Sequence, residues 1–461
     1  MSARQWVGGI LRGQSGACPH RIWRVCRHTP SPLVQASNPD FPHLTHAVTM
    51  AVHLTQVQTM ITEPYRLLRP RQQANCKSSS SALTWFDGGD FMASVLWMWH
   101  ACRSGIAVCI RSNTVALFVP FCNPEYCNTW SEHAKARVPR QGLPAAQWWA
   151  NGWTLCGDKV SDQLWSDSGV CAILHMLLTA CQESTLSDCD FIINKKDSAV
   201  VRRDQCDALN PLDPYQAPRH RPPLVPVLSL YTGSQFADIA MPLPVDWHRL
   251  AQGAFHAQHP QSPVKKPQNV PWQKKRDCAV FRGSLTGTGS CAATNQRMAL
   301  LQLHNGVTLD FRGTGKNQRW RYCPLSKSIV MPQHTQDVGA WHRIPMHEQQ
   351  ELYRYALTID GHSGADRLAA LMQGNQCILK VNPPCHALCP DTWASQRMFA
   401  WEHYVPVHAD LSNLESNFKW AQNAHDAREC MLKQCQLWSQ NERKRVIAWW
   451  AQATADMSLL H

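Results

Sequence analysis

Hydrophobic and polar residues follow one another in short runs that predict the alternating strands and helices of an α/β protein. The clearest unit lies within Tyr355–Lys380. Ala356–Ile359 is an apolar run typical of a buried strand, Ala365–Met372 carries apolar residues at helical spacing, and Cys377–Val381 predicts a second strand. A strand, a glycine-containing turn, a helix and a strand in this order predict a parallel βαβ unit.

The same patterns predict further elements on both sides of a polar stretch. Before this stretch the sequence predicts helices at Met92–Cys102 and Val170–Cys181, a hairpin of Ile106–Ile110 with Val115–Val119, and strands at Asp190–Asn194 and Leu224–Leu230. After it the sequence predicts strands at Cys278–Phe281 and Val307–Phe311 and a helix at Asn295–Leu303.

The polar stretch, rich in Pro, Gln and Lys, predicts a domain boundary. We therefore predict an N-terminal Rossmann-like domain at 85–253, a linker at 254–271, a second Rossmann-like domain at 272–414 and C-terminal helices at 415–461. Residues 1–84 contain only two acids, Asp40 and Glu63, and we expect a poorly ordered basic extension. The expected fold is α/β, with two Rossmann-like domains that face a cleft at the carboxyl ends of their strands.

Composition limits the class of protein. With 44% hydrophobic and 17% charged residues the chain suits a globular protein rather than a disordered one. The net charge of +12 suits an anionic partner such as a nucleotide-sugar, nucleic acid or a membrane face, or simply a soluble basic protein. The N-terminus has no apolar signal-peptide core, so the 20 cysteines predict free thiols in a reducing compartment. No run of eighteen apolar residues occurs, and we expect no transmembrane segment.

Two turns in the second half have the character of anion sites. Gly283 and Ser284 follow a predicted strand, Arg297 lies on the next helix, and residues 361–367 join a strand to a helix whose first turn holds Arg367. Backbone N–H groups at a helix N-terminus and arginine side chains both favour a phosphate. Taken alone, such a turn is also the ordinary tight connection of an α/β unit.

The first half offers a carboxylate. Asp197 follows the predicted strand Asp190–Asn194, beside Lys195 and Lys196. A carboxylate beyond the carboxyl end of a strand is well placed to act as a general base. From this motif alone, a helix N-cap or a surface charge is the preferred explanation of Asp197.

Five blocks in a fixed order give the sequence a family resemblance. They are Ser187–Asp197, Phe236–Trp247, Trp272–Gly287, Tyr353–Lys380 and Trp401–Leu414. Together they resemble glycosyltransferase family 90, which includes capsule-associated proteins and KDEL-motif-containing protein O-glucosyltransferases. The chain is most similar to members from algae and large DNA viruses.

The resemblance implies a GT-B fold and an inverting O-glycosyltransferase that moves glucose or xylose from UDP-glucose or UDP-xylose to a protein or glycan hydroxyl, without a metal ion or other cofactor. Asp197 matches the catalytic base. Asp310 falls near an aspartate of the family, and we interpret it as supporting the site rather than acting in it. The implied donor-binding residues are Gly283, Ser284, Arg297, His362, Ser363, Gly364, Ala365, Asp366 and Arg367.

The sequence departs from the family at three places. Ser198 and Ala199 follow Asp197 where an aromatic residue and a proline are usual, and Asp366 replaces a larger residue beside the expected diphosphate. A catalytically degenerate glycan- or nucleotide-binding protein is therefore an alternative. Most members enter the secretory pathway, whereas the absence of a signal peptide here predicts a cytoplasmic location.

Two further readings of the sequence stay open. Residues 361–365 resemble the nucleophile elbow of an α/β serine hydrolase, with Ser363 as nucleophile and Asp391 with His403 or His408 as partners. A basic cluster suits nucleic acid, although we expect no nucleic-acid partner; it comprises Lys265, Lys266, Lys274, Lys275 and Arg276. Cys385–Cys389 and the pair Cys122 and Cys127 lack partners at zinc-site spacing, so no metal site is predicted.

Overall fold

A computed structural model describes the protein over much of its length. The residues described are 61–62, 86, 90–102, 104–122, 168–203, 224–251, 267–287, 291–314, 321–323, 328–330, 343–384 and 390–460. They divide into two compact units. The first unit holds the described residues up to 248 together with 444–460, and the second unit holds those between 249 and 443.

The domain limits predicted from the sequence remain predictions. Of the expected extension at 1–84 only residues 61–62 are described, and of the expected linker at 254–271 only residues 267–271.

The first unit contains a mixed sheet. Its elements are α1 (Phe91–Trp97), a π-helical turn (Met98–Cys102), β1 (Ser104–Arg111), β2 (Thr114–Cys122), α2 (Ser168–Glu183), β3 (Cys189–Asn194), β4 (Val227–Ser229), β5 (Ile239–Ala240) and α3 (Pro244–Leu250), whose last two residues belong to the second unit. The described strands lie in the order β2-β1-β3-β4-β5, with β1 antiparallel to both neighbours and β3, β4 and β5 parallel. Ser112 and Asn113 have positive φ in the β1–β2 turn, as the favoured two-residue hairpin turns require.

The second unit contains a parallel sheet. Its elements are β6 (Arg276–Gly283), α4 (Gln296–Gln302), β7 (Leu309–Gly313), β8 (Arg321–Cys323), β9 (Ser328–Val330), α5 (Met346–Leu352), β10 (Tyr353–Thr358), α6 (Arg367–Leu371), β11 (Cys377–Val381), β12 (Val405–Val407), α7 (Leu414–Asn423) and α8 (His425–Ser458), of which residues 444–458 belong to the first unit. Five described strands lie in the order β12-β11-β10-β6-β7, all parallel. The predicted βαβ unit is β10–α6–β11.

Burial explains why the strands of the second unit read as continuous apolar runs. Every residue of β10 except Arg354 is buried, and so is every residue of β11 except Lys380. A parallel sheet carries cover on both faces, so both sets of alternating side chains are removed from water. Phe418 of α7 packs edge-on against Tyr355, with the ring centroids 4.9 Å apart.

The long helix α8 is anchored by a buried ion pair within the second unit. The guanidinium of Arg249 donates to both carboxylate oxygens of Glu442, at 2.9 and 2.7 Å, and both side chains are at least nine-tenths buried. Such a pair is strongly destabilising to break because either partner alone would be an unpaired buried charge.

The predicted α/β class is confirmed, and so is a helical C-terminus. The GT-B arrangement of two facing domains stays a prediction. No helix in the described part of the chain is long and apolar enough to cross a bilayer.

Candidate functional site

The strand order of the second unit creates a binding position between β6 and β10. From β6 the chain proceeds through α4 to β7 on one side, and from β10 it proceeds through α6 to β11 on the other. In open parallel sheets, ligands bind beyond the carboxyl ends of the strands where successive connections diverge in this way. The two loops at this position are residues 284–287 after β6 and residues 359–366 after β10. We call them the β6 loop and the β10 loop.

Arg297 fastens the two loops together. Its Nη1 donates to the carbonyl of Ser284 at 2.8 Å and to Oγ1 of Thr286 at 2.6 Å, both in the β6 loop. Its Nη2 and Nε donate to the carbonyls of Ile359 and Asp360 in the β10 loop, at 2.9 and 3.0 Å. The sequence predicted a donor contact for Arg297; in this structure its guanidinium is largely occupied by backbone acceptors.

Glycine permits the close approach of the loops. A Cβ on Gly361 would lie 2.6 Å from Oγ1 of Thr286, and one on Gly364 would lie 2.5 Å from the carbonyl oxygen of Pro390. A Cβ on Gly283 would lie 2.7 Å from the Phe281 ring and 3.1 Å from Nη2 of Arg367. The clash at Gly364 is with a backbone atom, which no side-chain movement can relieve, so this position requires glycine for space. The clashes at Gly361 and Gly283 are with side chains, which would have to shift to admit a Cβ.

Arg367 differs from Arg297 in having spare donors. Its guanidinium lies over the ring of Phe281, 5.1 Å from the centroid, and Nη1 donates to the carbonyl of Arg282 at 2.7 Å. Among the described residues no other group accepts from it. Burial lowers the pKa of Arg367, and only the neighbouring carboxylate of Asp366 opposes this effect. A half-buried cation with unused N–H groups at the end of a parallel sheet is a candidate anion ligand.

Asp360 shapes the β10 loop. Its Oδ1 accepts from the backbone N–H of Ala365 at 2.8 Å, and the N–H of Gly361 donates to the carbonyl of Ser363 at 3.0 Å. The N–H of Gly287 in the β6 loop donates to Nδ1 of His362 at 3.4 Å. Burial raises the pKa of Asp360, although Lys380, the Ala365 amide and Arg297 oppose the shift. The sequence analysis gave Asp360 no role, and the Asp-Gly pair typical of turns was the available signal.

The donor-binding residues predicted from the sequence lie on the β6 and β10 loops and the elements beside them. The β6 strand and loop bring Gly283 and Ser284 to the divergence point, the β10 loop brings His362, Ser363, Gly364, Ala365 and Asp366, and α6 begins with Arg367. Ser284, His362 and Ser363 are half-buried, while Asp366 is exposed and makes no capping hydrogen bond to α6. Their contacts with a donor remain predictions.

Asp310 hydrogen-bonds to side chains of three strands in the sheet of the second unit. It accepts from Nη2 of Arg282 at 2.7 Å, from the hydroxyl of Tyr353 at 2.6 Å and from Nε of Arg312 at 3.1 Å. Burial of the carboxyl opposes ionisation, but these hydrogen bonds outweigh it and lower the pKa of Asp310 to about 2. Asp310 thereby joins β6, β7 and β10.

The depressed pKa of Asp310 predicts a specific acid sensitivity. Because the folded pKa lies below the ordinary carboxyl value, the stabilisation is complete above about pH 4 and is lost as the pH falls toward 2. We expect the difference in free energy of unfolding between wild type and Asp310→Asn to shrink by about 2 kcal/mol across this window. Urea unfolding at pH 5 and pH 2.5 measures this difference. A difference independent of pH would show that Asp310 is not ionised in the network.

Asp197 lies in the first unit, three residues beyond the end of β3. Its side chain is exposed, whereas Lys195, Lys196 and Ser198 around it are buried. Asp197 does lie past the carboxyl end of a strand, β3, which is parallel to β4 and antiparallel to β1. Its role as a base stays a prediction.

The structure gives less support to the serine-hydrolase and nucleic-acid-binding interpretations. The hydroxyl of Ser363 hydrogen-bonds no histidine or carboxylate among the described residues, whereas His403 accepts from the N–H of Phe399 and His408 contacts Ser412. In the basic cluster, Lys275 points inward and donates to the carbonyls of Gln350 and Asn375, both at 2.6 Å.

The described region also bears on the metal and thiol predictions. Within it, no three His, Cys, Asp or Glu side chains are grouped as metal ligands would be. Residues 385–389 and 127 lie outside the described residues. Ten cysteines of the described region are free thiols, and eight of these are wholly or partly buried.

Comparison with known proteins identifies the family. The family model described as Glycosyl transferase family 90 matches residues 163–453. The uncharacterized protein 035R of Invertebrate iridescent virus 3 is 30% identical over 391 residues, covering 75% of this chain and 33% of that protein. The uncharacterized protein 027R of Frog virus 3 is 28% identical over 386 residues, covering 72% and 38%. Protein O-glucosyltransferase 1 of Mus musculus is 25% identical over 224 residues, covering 45% and 50%.

The chain thus spans about a third of the length of these viral relatives and half of the mouse enzyme. The family match extends over both units and includes Asp197, the β6 loop and the β10 loop. Since this match covers more than half of the chain, the resemblance found in the sequence is confirmed, and the chain belongs to glycosyl transferase family 90.

Proposed function

We propose that the protein is an inverting O-glycosyltransferase that transfers glucose or xylose from a UDP-sugar to a hydroxyl of a protein or glycan. The observation that carries the proposal is Arg367, a cation with spare donors at the divergence point of a parallel sheet in a family 90 chain. The mouse relative is a protein O-glucosyltransferase by name, so UDP-glucose is the first donor to test.

In the proposed mechanism the donor diphosphate binds between the β6 loop and the β10 loop. Arg367 and the N–H groups of the β10 loop contact the phosphates, and Arg297 keeps the two loops at a fixed separation. Negative charge develops on the departing phosphate oxygen. Donors that are already oriented toward that oxygen stabilise this charge without having to reorganise during the reaction. We propose that Arg367 and these N–H groups, rather than a metal ion, stabilise the leaving diphosphate.

The acceptor side of the reaction is assigned to the first unit. Asp197 takes the proton of the acceptor hydroxyl as the oxygen attacks the anomeric carbon on the face opposite UDP. The new bond joins the acceptor oxygen to the anomeric carbon, and the electron pair of the broken bond leaves with the β-phosphate oxygen. A GT-B arrangement, with the donor in the second unit and the acceptor in the first, belongs to this proposal.

Calorimetric titration with UDP and with UMP tests the donor site. Because UMP lacks the β-phosphate, we expect UDP to bind at least about tenfold more tightly if Arg367 makes a charge-assisted contact with that phosphate. Equal or absent binding of the two nucleotides would refute the diphosphate site and favour a degenerate family member. Release of UDP from UDP-glucose and UDP-xylose, with and without acceptor, then identifies the sugar.

A further inference from the structure

The backbone around Asp197 is hydrogen-bonded by a buried polar network. Asn194, the last residue of β3, donates from Nδ2 to the carbonyl of Ser198 at 2.7 Å and to Oγ of Ser229 at 3.0 Å. Its Oδ1 accepts from the N–H of Lys196 at 3.1 Å. The backbone is therefore bound on both sides of the exposed Asp197. We call residues 195–201 the Asp197 segment.

The far side of the Asp197 segment is bound by one carboxylate. Asp238, which immediately precedes β5, accepts from the N–H of Val200 at 2.9 Å and from that of Val201 at 2.6 Å. It also accepts from Oγ of Ser229 at 2.6 Å, which links it to Asn194. Asn194 at the end of β3 and Asp238 just before β5 thus bond one short stretch of backbone, and Ser229 of β4 links the two side chains.

Burial of the Asp238 carboxylate opposes folding because the charged group loses its hydration. Asp238 is only 6% exposed, and Asn194 and Ser229 are fully buried. Burial raises the pKa of Asp238, although hydrogen bonds from Ser229, Val200 and Val201 oppose the shift. A buried carboxylate gives less stability than well-packed apolar groups would, whereas a fully bonded polar network specifies one geometry.

We propose that Asp238 is a positioning residue that fixes, through the amides of Val200 and Val201, the place from which Asp197 removes the acceptor proton. This inference rests on the proposed function. General-base catalysis requires the carboxylate within hydrogen-bond reach of the proton, and small displacements of a reacting group are costly in rate. Asp238 touches no reacting atom; it acts through the Asp197 segment.

Asp238→Asn is the first test because it keeps the shape but replaces one acceptor oxygen with an NH₂ group that faces backbone donors. We expect kcat for transfer to fall about ten- to a hundredfold, while the KM for the UDP-sugar and the affinity for UDP stay unchanged. Ser229→Ala removes one donor to Asp238 and one acceptor of Asn194 but leaves the bonds from Val200 and Val201, so we expect a smaller effect in the same direction.

Asp190→Asn is the matched control. Asp190 is a fully buried carboxylate at the other end of β3, where it pairs with Nη2 of Arg111 at 2.7 Å. We expect this variant to lower the melting temperature without a selective loss of kcat. If kcat falls equally in Asp238→Asn and Asp190→Asn when the two are matched for stability, the loss is structural and the positioning role is wrong.

Amide hydrogen exchange gives a readout that does not depend on activity. We expect exchange in the Asp197 segment to accelerate in Asp238→Asn and to stay unchanged in Asp190→Asn. Unchanged exchange at residues 195–201 in Asp238→Asn would overturn the inference even if wild type shows no transfer. Absence of transfer by wild type with every donor would instead refute the proposed function.

Discussion

Asp197→Asn is expected to lower the turnover of sugar transfer by about 10²–10⁴, the usual contribution of a general base. The amide has nearly the same shape as the carboxylate but cannot take the proton of the acceptor hydroxyl at neutral pH. Because the donor loops belong to the other unit, the affinity for UDP should be unchanged. Steady-state rates of UDP release with acceptor present, together with calorimetry, measure the two quantities.

Asp188→Asn is the control for this variant. Asp188 is also exposed and lies in the same unit, just before β3, where its Oδ1 accepts from the N–H of Ser112. We expect its turnover to remain within about twofold of wild type, since surface substitutions away from a site usually have small effects. Turnover of Asp197→Asn equal to that of wild type would remove Asp197 from the mechanism.

The sequence predicted the fold of the site well because its signals are local. The apolar runs predict β10 and β11, and the helical spacing predicts α6. Because a helix connects the two strands, a parallel pairing follows. The hairpin of β1 and β2 was equally local. By contrast, α1 gives way to a π-helical turn at Met98, which the apolar spacing of Met92–Cys102 does not distinguish.

The roles of the charged residues were harder to predict because they depend on tertiary contacts. Arg297 and Arg367 look alike in the sequence, yet four backbone and side-chain acceptors occupy the first and a single carbonyl meets the second. In the sequence Lys275 likewise lies within a basic cluster, but its Nζ donates to the backbone carbonyls of Gln350 and Asn375. The network of Asp238 joins residues 37 and 38 positions apart, a spacing that carries no periodic signal.

Arg367→Ala is expected to weaken UDP binding by about ten- to a hundredfold. A hydrogen bond between a charged donor and a phosphate contributes about 1.5–3 kcal/mol, and about 1.4 kcal/mol corresponds to a tenfold change in affinity. The loss should be far smaller for UMP if Arg367 contacts the β-phosphate. Arg367→Lys keeps the charge but loses the planar fork, so we expect an intermediate affinity.

A second stacked arginine in the same unit provides the control for Arg367→Ala. The guanidinium of Arg397 lies 4.8 Å from the ring centroid of Trp393, and its Nη1 donates to the carbonyl of that residue at 2.9 Å. Both arginines therefore stack on an aromatic ring and bond one backbone carbonyl, but only Arg367 lies at the divergence of β6 and β10. Arg397→Ala should leave UDP affinity unchanged. Equal effects of the two substitutions would show that the loss reflects stability rather than a phosphate contact, and Arg367 would then leave the donor site.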